Sequence, residues 1–367
     1  MEIIKETSPH IKRKDNLLWM MLDVIIALLP TIVLSFIAYG VHYLKNYLIS
    51  VGVMCFAEFV FVLIKNHIPY DGKKHSLKER LLKGLKEYRV TDFLVPAVSA
   101  LIYSLIMPAG ASWYAVLIGA IFGIVVGKLI FGGTGNNIFN PAAVGMVAAK
   151  LCFGSTYVNL NPSFADVSVS ATPLGNINGL AFSNINDYSL LDLFLGRIGG
   201  TSGEAFKIAI LAGFVYLLIR RDIDWRITLS YIGSFAFMML FAGIIVHSKL
   251  PEVGVFHFLA YQLLSGGLLF GAVFMITDPV TSPINAPARW IYGALAGVLT
   301  VIIRLFGALP EGVGFSILIA TACASALEYH AWSSSRWKRW HVIALSSIIV
   351  LPTIIMVLAL LFGGKIA

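Results

Sequence analysis

The chain has 367 residues, 58% of them hydrophobic and only 13% charged. Soluble domains carry about 25% charged residues, so a water-soluble fold is excluded; so are disorder and collagen, because the 33 glycines and 14 prolines sit inside apolar sequence. The formal charge of +8 gathers in short connections between apolar runs, a membrane-topology pattern and not a nucleic-acid-binding face.

A charged segment at 1–16, without the pattern of a cleaved signal peptide, leads into the first apolar run. Runs follow at 17–40, 44–65, 91–107, 113–131, 138–153, 205–220, 225–247, 256–277, 289–307, 313–330 and 341–362. A bilayer-crossing helix needs about 20 apolar residues, so the chain reads as an all-α polytopic membrane protein with about ten to eleven transmembrane helices. Basic residues mark the N-terminal segment (Lys5, Lys12, Arg13, Lys14) and the even-numbered connections. These carry Lys73, Lys74, Lys78, Arg80, Lys83, Lys86 and Arg89; then Lys128; then Arg220, Arg221 and Arg226; then Arg289; then Arg336, Lys338 and Arg339. The positive-inside rule makes that side, and the N-terminus, cytoplasmic and places the long loop at 154–204 outside. Trp113, Trp225, Trp290, Trp337 and Trp340 stand at run ends, as an interfacial belt requires. Leu77, Leu81, Leu82 and Leu85 among the basic residues of 76–89 suit a short amphipathic helix on the cytoplasmic surface.

The fourth run, with Gly119-Ala120, Gly123, Lys128 and Phe131-Gly132, is echoed in the ninth by Gly293-Ala294, Gly297, Arg304 and Phe306-Gly307. The echo lies five runs away, so a duplication would build two inverted five-helix repeats, at 17–153 and 205–330, with the helix in 331–367 as an addition. Inverted repeats of this kind form mid-membrane sites from broken or re-entrant helices. Two segments have that character. Gly132-Gly133-Thr134-Gly135-Asn136-Asn137-Ile138-Phe139-Asn140-Pro141 is neither a Walker loop nor a dinucleotide fingerprint; it reads as a half-helix start whose Asn136, Asn137 and Asn140 could meet a polar ligand, or as a tight helix–helix turn. Thr277-Asp278-Pro279-Val280-Thr281-Ser282-Pro283 closes the eighth run.

A carboxylate in hydrocarbon is costly unless paired, protonated or wet, which makes Glu58 a candidate for an ion path, with Asp278 as a second group and Asp23 nearer a run end. Cys55, Cys152 and Cys323 lie far apart with no CxxC, so no cysteine-ligated metal is expected. The external loop contains Asp166-Val167-Ser168-Val169-Ser170-Ala171-Thr172-Pro173-Leu174, where Pro173 pushes Thr172 towards an extended backbone.

Taken in order from Ser8-Pro9-His10 to Tyr329, these motifs match a known family. They comprise Ala27-Leu28-Leu29-Pro30, Phe131-Gly132-Gly133, Phe139-Asn140-Pro141-Ala142, Ala171-Thr172-Pro173-Leu174, Thr277-Asp278-Pro279-Val280-Thr281-Ser282, Ile303-Arg304-Leu305-Phe306-Gly307 and Pro310-Glu311-Gly312-Val313-Gly314-Phe315. The chain resembles the RnfD proteins, the D-type members of the Rnf complex, which is the ion-translocating ferredoxin:NAD+ oxidoreductase. It is more distantly similar to the NqrB proteins of the sodium-pumping NADH:quinone oxidoreductase. The resemblance implies a redox component of a prokaryotic cytoplasmic (inner) membrane, not catalytic alone. It implies FMN attached through its phosphate to Thr172, flanked by Asp166, Ser168, Ser170 and Ala171; Val169 stands where serine is usual and Ser170 where glycine is frequent. Riboflavin, held noncovalently, is a further cofactor that related proteins use. Implied partners are the other Rnf proteins, of types A, B, C, E and G, with ferredoxin and NAD+ reached through them, and Na+ or H+ moved outwards. Architecture alone equally suits a passive urea-channel-like transporter. An external attachment loop is what a flavin carrier needs and a passive channel does not.

Overall fold

Hydrocarbon offers no hydrogen bonds, so apolar runs must satisfy their own backbone. The structure is a computed structural model, and the residues it describes are 17–65, 79, 82, 84–86, 88–154, 157, 160, 162, 163, 174, 182, 185, 186, 189–197, 200–307, 311–329 and 336–362. All regular structure among them is helical.

Helices α1 (Leu17–Tyr39) and α2 (Val41–Lys65) meet at Gly40, whose φ of +52° lets the chain reverse. Helix α3 (Val90–Ile106) and α4 (Trp113–Gly127) follow, the latter running on through a 3₁₀ turn at Leu129–Phe131. Then come α5 (Pro141–Phe153), the short α6 (Leu190–Leu195), α7 (Lys207–Arg220) and α8 (Trp225–Lys249). Helix α9 (Val255–Leu264) is followed by α10 (Leu268–Phe270), which continues as a π-turn at Gly271–Met275. The order closes with α11 (Ala286–Phe306), α12 (Val313–Leu327) and α13 (Arg339–Phe362).

Among the described residues, six helices are long and apolar enough to cross a bilayer: α1, α2, α4 with its 3₁₀ turn, α8, α11 and α13. A seventh crossing exists if α9 and α10 count as one bent span, and α3, α5 and α12 are shorter apolar helices. The 13 residues of α5 rise only about 20 Å, less than the ~30 Å of a hydrocarbon core. The eighth run, expected as one helix over 256–277, is bent by 58°. Its break is Ser265-Gly266-Gly267, a small-residue triplet with Gly266 at φ +66°.

The glycines matched between the fourth and ninth runs do the same work. A Cβ on Gly123 would stand 2.6 Å from the Pro141 carbonyl of α5, and one on Gly297 would stand 2.5 Å from the Tyr231 carbonyl of α8. Close backbone approach through small residues is how helices hold together where burial in lipid gives no hydrophobic gain. Helix α1 packs on α7 and α5 on α12, while α13 packs on α8 and α11. Large apolar side chains such as Ile37, Phe56, Ile219 and Ile355 are exposed outward, towards lipid. Trp225 and Trp290 meet edge to face 5.9 Å apart, side by side at helix ends. Of the stretch at 76–89, Glu79, Leu82 and 84–86 are helical; Leu82 and Leu85 are exposed while Gly84 packs on Leu63.

Candidate functional site

Both broken segments named from sequence run to one cavity. Its walls include Met21 and Val24 of α1, Val98 of α3, Lys128 at the end of α4, Thr134, Asn137, Asn140 and Pro141 from the first segment, and Thr277, Asp278, Pro279 and Val280 from the second. The cavity measures about 80 Å³, room for a few waters or a small cation with part of its shell. Small-molecule pockets run to roughly 300–1,000 Å³.

Asn140 joins the segments. Its Oδ1 accepts from the Ala142 and Ala143 amides at 3.0 and 3.3 Å, capping α5, and Pro141 occupies the first turn where no amide is needed. Its Nδ2 donates to the Met275 carbonyl at 3.0 Å, the last residue of the π-turn. Asp278 stays local: Oδ1 accepts from the Val280 amide at 3.2 Å and Oδ2 from Thr281 Oγ1 at 3.4 Å. Asn137 lines the cavity and donates to the Phe139 carbonyl at 3.2 Å, whereas Asn136 is exposed and forms no part of the wall.

Glu58 is 2% exposed and lies 3.0 Å from Lys128 Nζ, itself 1% exposed, while Thr134 Oγ1 donates to Glu58 Oε1 at 3.1 Å. The cavity wall holds Lys128 and Thr134, with Glu58 behind them. Lys128, read from sequence as a topology charge at a run end, is thus a buried partner and not a surface cation. The reason is the Glu58 carboxylate, which is expensive to bury without a counter-charge. Asp23 is held likewise, by Arg220 at 2.8 Å and by the Tyr216 hydroxyl at 2.7 Å.

A second polar cluster, not foreseen from sequence, surrounds the bend at 265–267 near the opposite ends of the helices. Arg304 Nη1 donates to the carbonyl and side-chain oxygens of Gln262 at 2.6 and 3.3 Å, and Nη2 donates to the Ser265 carbonyl at 3.5 Å. Its guanidinium lies 5.0 Å over the Phe235 ring. Arg304 Nε and Gln262 Nε2 are buried with no acceptor among the described residues. Glu204 reaches the other side of the bend, where its Oε1 is 2.5 Å from the position a Gly267 Cβ would take. Lys207 is buried nearby, and Lys150 pairs with Glu311 at 2.7 Å. Asp166, Ser168, Ser170, Ala171 and Thr172 lie outside the described residues, but Leu174 is buried at this bend, its Cδ1 2.5 Å from where a Gly266 Cβ would stand. The signal that could have found Arg304 is its place inside the apolar run 289–307, the same kind of charge within hydrocarbon that flagged Glu58.

Known proteins share this chain's pattern over most of its length. The profile of the NQR2, RnfD, RnfE family matches residues 4–334. The chain belongs to that family. It is 31% identical to the D-type component of the Na(+)-translocating ferredoxin:NAD(+) oxidoreductase complex of Acetobacterium woodii, covering 89% of this chain and 93% of that one. It is 29% identical to the D-type component of the proton-translocating ferredoxin:NAD(+) oxidoreductase complex of Clostridium ljungdahlii, over 88% and 92% of the two chains. It is 34% identical to the B-type component of the Na(+)-translocating NADH-quinone reductase of Chromohalobacter salexigens, over 80% of this chain and 66% of that protein. Members of the NQR2, RnfD, RnfE family with Na+ and with proton in their names thus match to a similar degree.

Proposed function

We propose that this chain is the D-type membrane component of an Rnf complex, carrying FMN on Thr172 as an electron relay while the complex passes electrons from ferredoxin to NAD+ and moves Na+ or H+ across the membrane. The single observation behind this reading is family membership over residues 4–334, with two near-full-length relatives named as components of ferredoxin:NAD(+) oxidoreductase complexes. The proposal includes a prokaryotic cytoplasmic membrane, an inward N-terminus, an outward loop, and the Rnf proteins of types A, B, C, E and G as partners.

The residues fit the flavin in one respect. Two donors at the bend, Arg304 Nε and Gln262 Nε2, are buried without an acceptor among the described residues, and Leu174, two residues beyond Thr172, packs there. FMN would supply reversible uptake of electrons; the chain supplies position and charge. On the other side, Asp278 with Thr134 and Asn137 would offer oxygens to a small cation or proton in the cavity, and Glu58, paired with Lys128, would set the charge behind them. A volume of about 80 Å³ favours that use over riboflavin binding at Asn137 and Asn140.

The test is in-gel flavin fluorescence of the denatured chain, which survives only for a covalent flavin. The wild-type chain should fluoresce and Thr172→Ala should not, with membrane insertion intact. Intact mass showing the full flavin on Thr172→Ala would overturn the assignment.

A further inference from the structure

We propose that the groove between α2 and α4 binds one anionic phospholipid, with its acyl chains along the groove and its phosphate at Lys65. The groove shares no lining residue with the cavity at Asp278 and lies apart from the bend at 265–267.

Shape selects lipid tails. The groove holds about 740 Å³, and every residue lining it is apolar, among them Phe56, Val60 and Ile64 of α2 and Ile121, Val125 and Ile130 on the α4 side. Phe56, Ile64 and Ile130 are exposed, so the groove opens outward onto the bilayer. From Gly52 to Ile64, α2 rises about 18 Å, close to half of a hydrocarbon core of ~30 Å. That is the depth of one leaflet. A crossing helix of a partner would need a groove along the whole of α2. The other end of α2 is instead tied to the α3–α4 connection: Asn46 Nδ2 donates to the Pro108 carbonyl at 2.9 Å, and Lys45 Nζ to the Ala111 carbonyl.

Charge selects the headgroup. Lys65, the last residue of α2, follows Ile64 at the end of the groove. Its side chain is exposed and donates to the Gly132 carbonyl at 3.1 Å, which uses one of three ammonium donors. Gly84 packs on Leu63, which brings the exposed Lys86 to the same end of α2, and Tyr88 meets Phe59 edge to face at 5.4 Å. The connection that begins there, 66–89, carries seven Lys or Arg against three Asp or Glu. Tails in the groove exchange one apolar surface for another, so they supply fit and no choice of headgroup. A phosphate with net negative charge is favoured by about fivefold (about 1 kcal/mol) for each basic residue at the membrane surface. A zwitterionic headgroup brings its own ammonium to the same place and loses that preference.

Gly52 gives a way to fill the groove without breaking the helix. A Cβ there would meet nothing within 4 Å, and replacing a glycine inside a helix favours the helix. A phenylalanine at that position takes the space of a lipid tail.

The experiment uses the full chain, purified in detergent, stripped of lipid and offered phosphatidylglycerol or phosphatidylcholine with identical acyl chains. Native mass spectrometry counts the lipids retained. The wild type should keep one phosphatidylglycerol, with a preference over phosphatidylcholine of more than about tenfold. Lys65→Gln, a change at an exposed site, should lower that preference about fivefold, and adding Lys86→Gln should remove most of the rest. Retention of phosphatidylcholine should not change in either variant. Gly52→Phe should lower retention of both lipids. A diazirine on the acyl chain of phosphatidylglycerol should mark peptides from 52–64 and 121–130. Equal retention of the two lipids by the wild type, or unchanged retention in Gly52→Phe, overturns the site. So does a benzophenone side chain at position 56 that, in native membranes, cross-links to a protein and not to lipid.

Discussion

Lys128 and Glu58 face each other 3.0 Å apart with almost no water on either. For such a pair the attraction roughly offsets the loss of hydration, but removing one partner strands the other. Lys128→Met should therefore destabilise the detergent-solubilised chain by about 3–5 kcal/mol. Adding Glu58→Leu should recover most of that loss, since two apolar side chains of similar volume replace the pair. Fluorescence-detected thermal unfolding of the single and double variants is the check; an additive loss would mean the pair acts separately. Glu58→Gln asks the functional question, because it keeps size and removes the charge behind Lys128. If Glu58 sets the ion path, the assembled complex keeps its flavin and loses ion-dependent ferredoxin:NAD+ activity; normal ion uptake per electron would sink that role. Sequence flagged Glu58 because a carboxylate within an apolar run is rare. It could not show that Lys128 answers it, 70 residues away by number, nor that Asn136 turns outward while Asn137 turns in.

At the level of elements, one side chain ties the first broken segment to the second. Asn140 caps α5 with its oxygen and holds the π-turn with its nitrogen. π-turns are rare and concentrate at functional sites. Asn140→Ala should cost about 1 kcal/mol for the cap alone. It should also speed amide exchange both at the start of α5 and across 271–277. Asn140→Asp keeps the cap acceptor and removes the donor to Met275, so exchange should rise at 271–277 and stay slow at the start of α5. Equal opening of both ends in Asn140→Asp would refute the division of labour. The segment at 132–140 was legible because glycines and asparagines interrupt an apolar run. The bend at 265–267 was not, because Gly266 and Gly267 sit in a run apolar enough to pass for one helix.

Across the whole molecule, the two faces are distinct. Arg220, Arg226 and Arg289 lie at one end with the cavity, where Arg289 pairs with Asp224 and Arg220 with Asp23. The described parts of the 154–204 loop lie at the other. Ser163 binds the Ile37 and Ala38 carbonyls at the end of α1, Asn186 donates to Glu252 before α9, and Leu174 packs at the bend. The basic residues at the first end are what the proposed inward orientation of that end rests on, by the positive-inside rule. Cysteines placed at Ser163 and Ser76, in a background with Cys55, Cys152 and Cys323 replaced, should differ in whole cells. An impermeant thiol reagent should label position 163 and spare position 76. The reverse pattern would invert the topology.

What the sequence determined by itself follows from the solvent. In hydrocarbon a backbone must bond internally, so apolar runs dictate helices, and the ordered motifs dictate the family. What the tertiary structure decided is which polar groups answer which. Asp23 meets Arg220, 197 residues on, Asn140 meets Met275, 135 residues on, and Leu174 comes to rest beside Arg304. Periodicity and composition carry information over a few turns of helix. Partners at those separations are set by helix packing, and it is packing that seats Lys128 against Glu58 and Arg304 against the oxygens of Gln262 and Ser265.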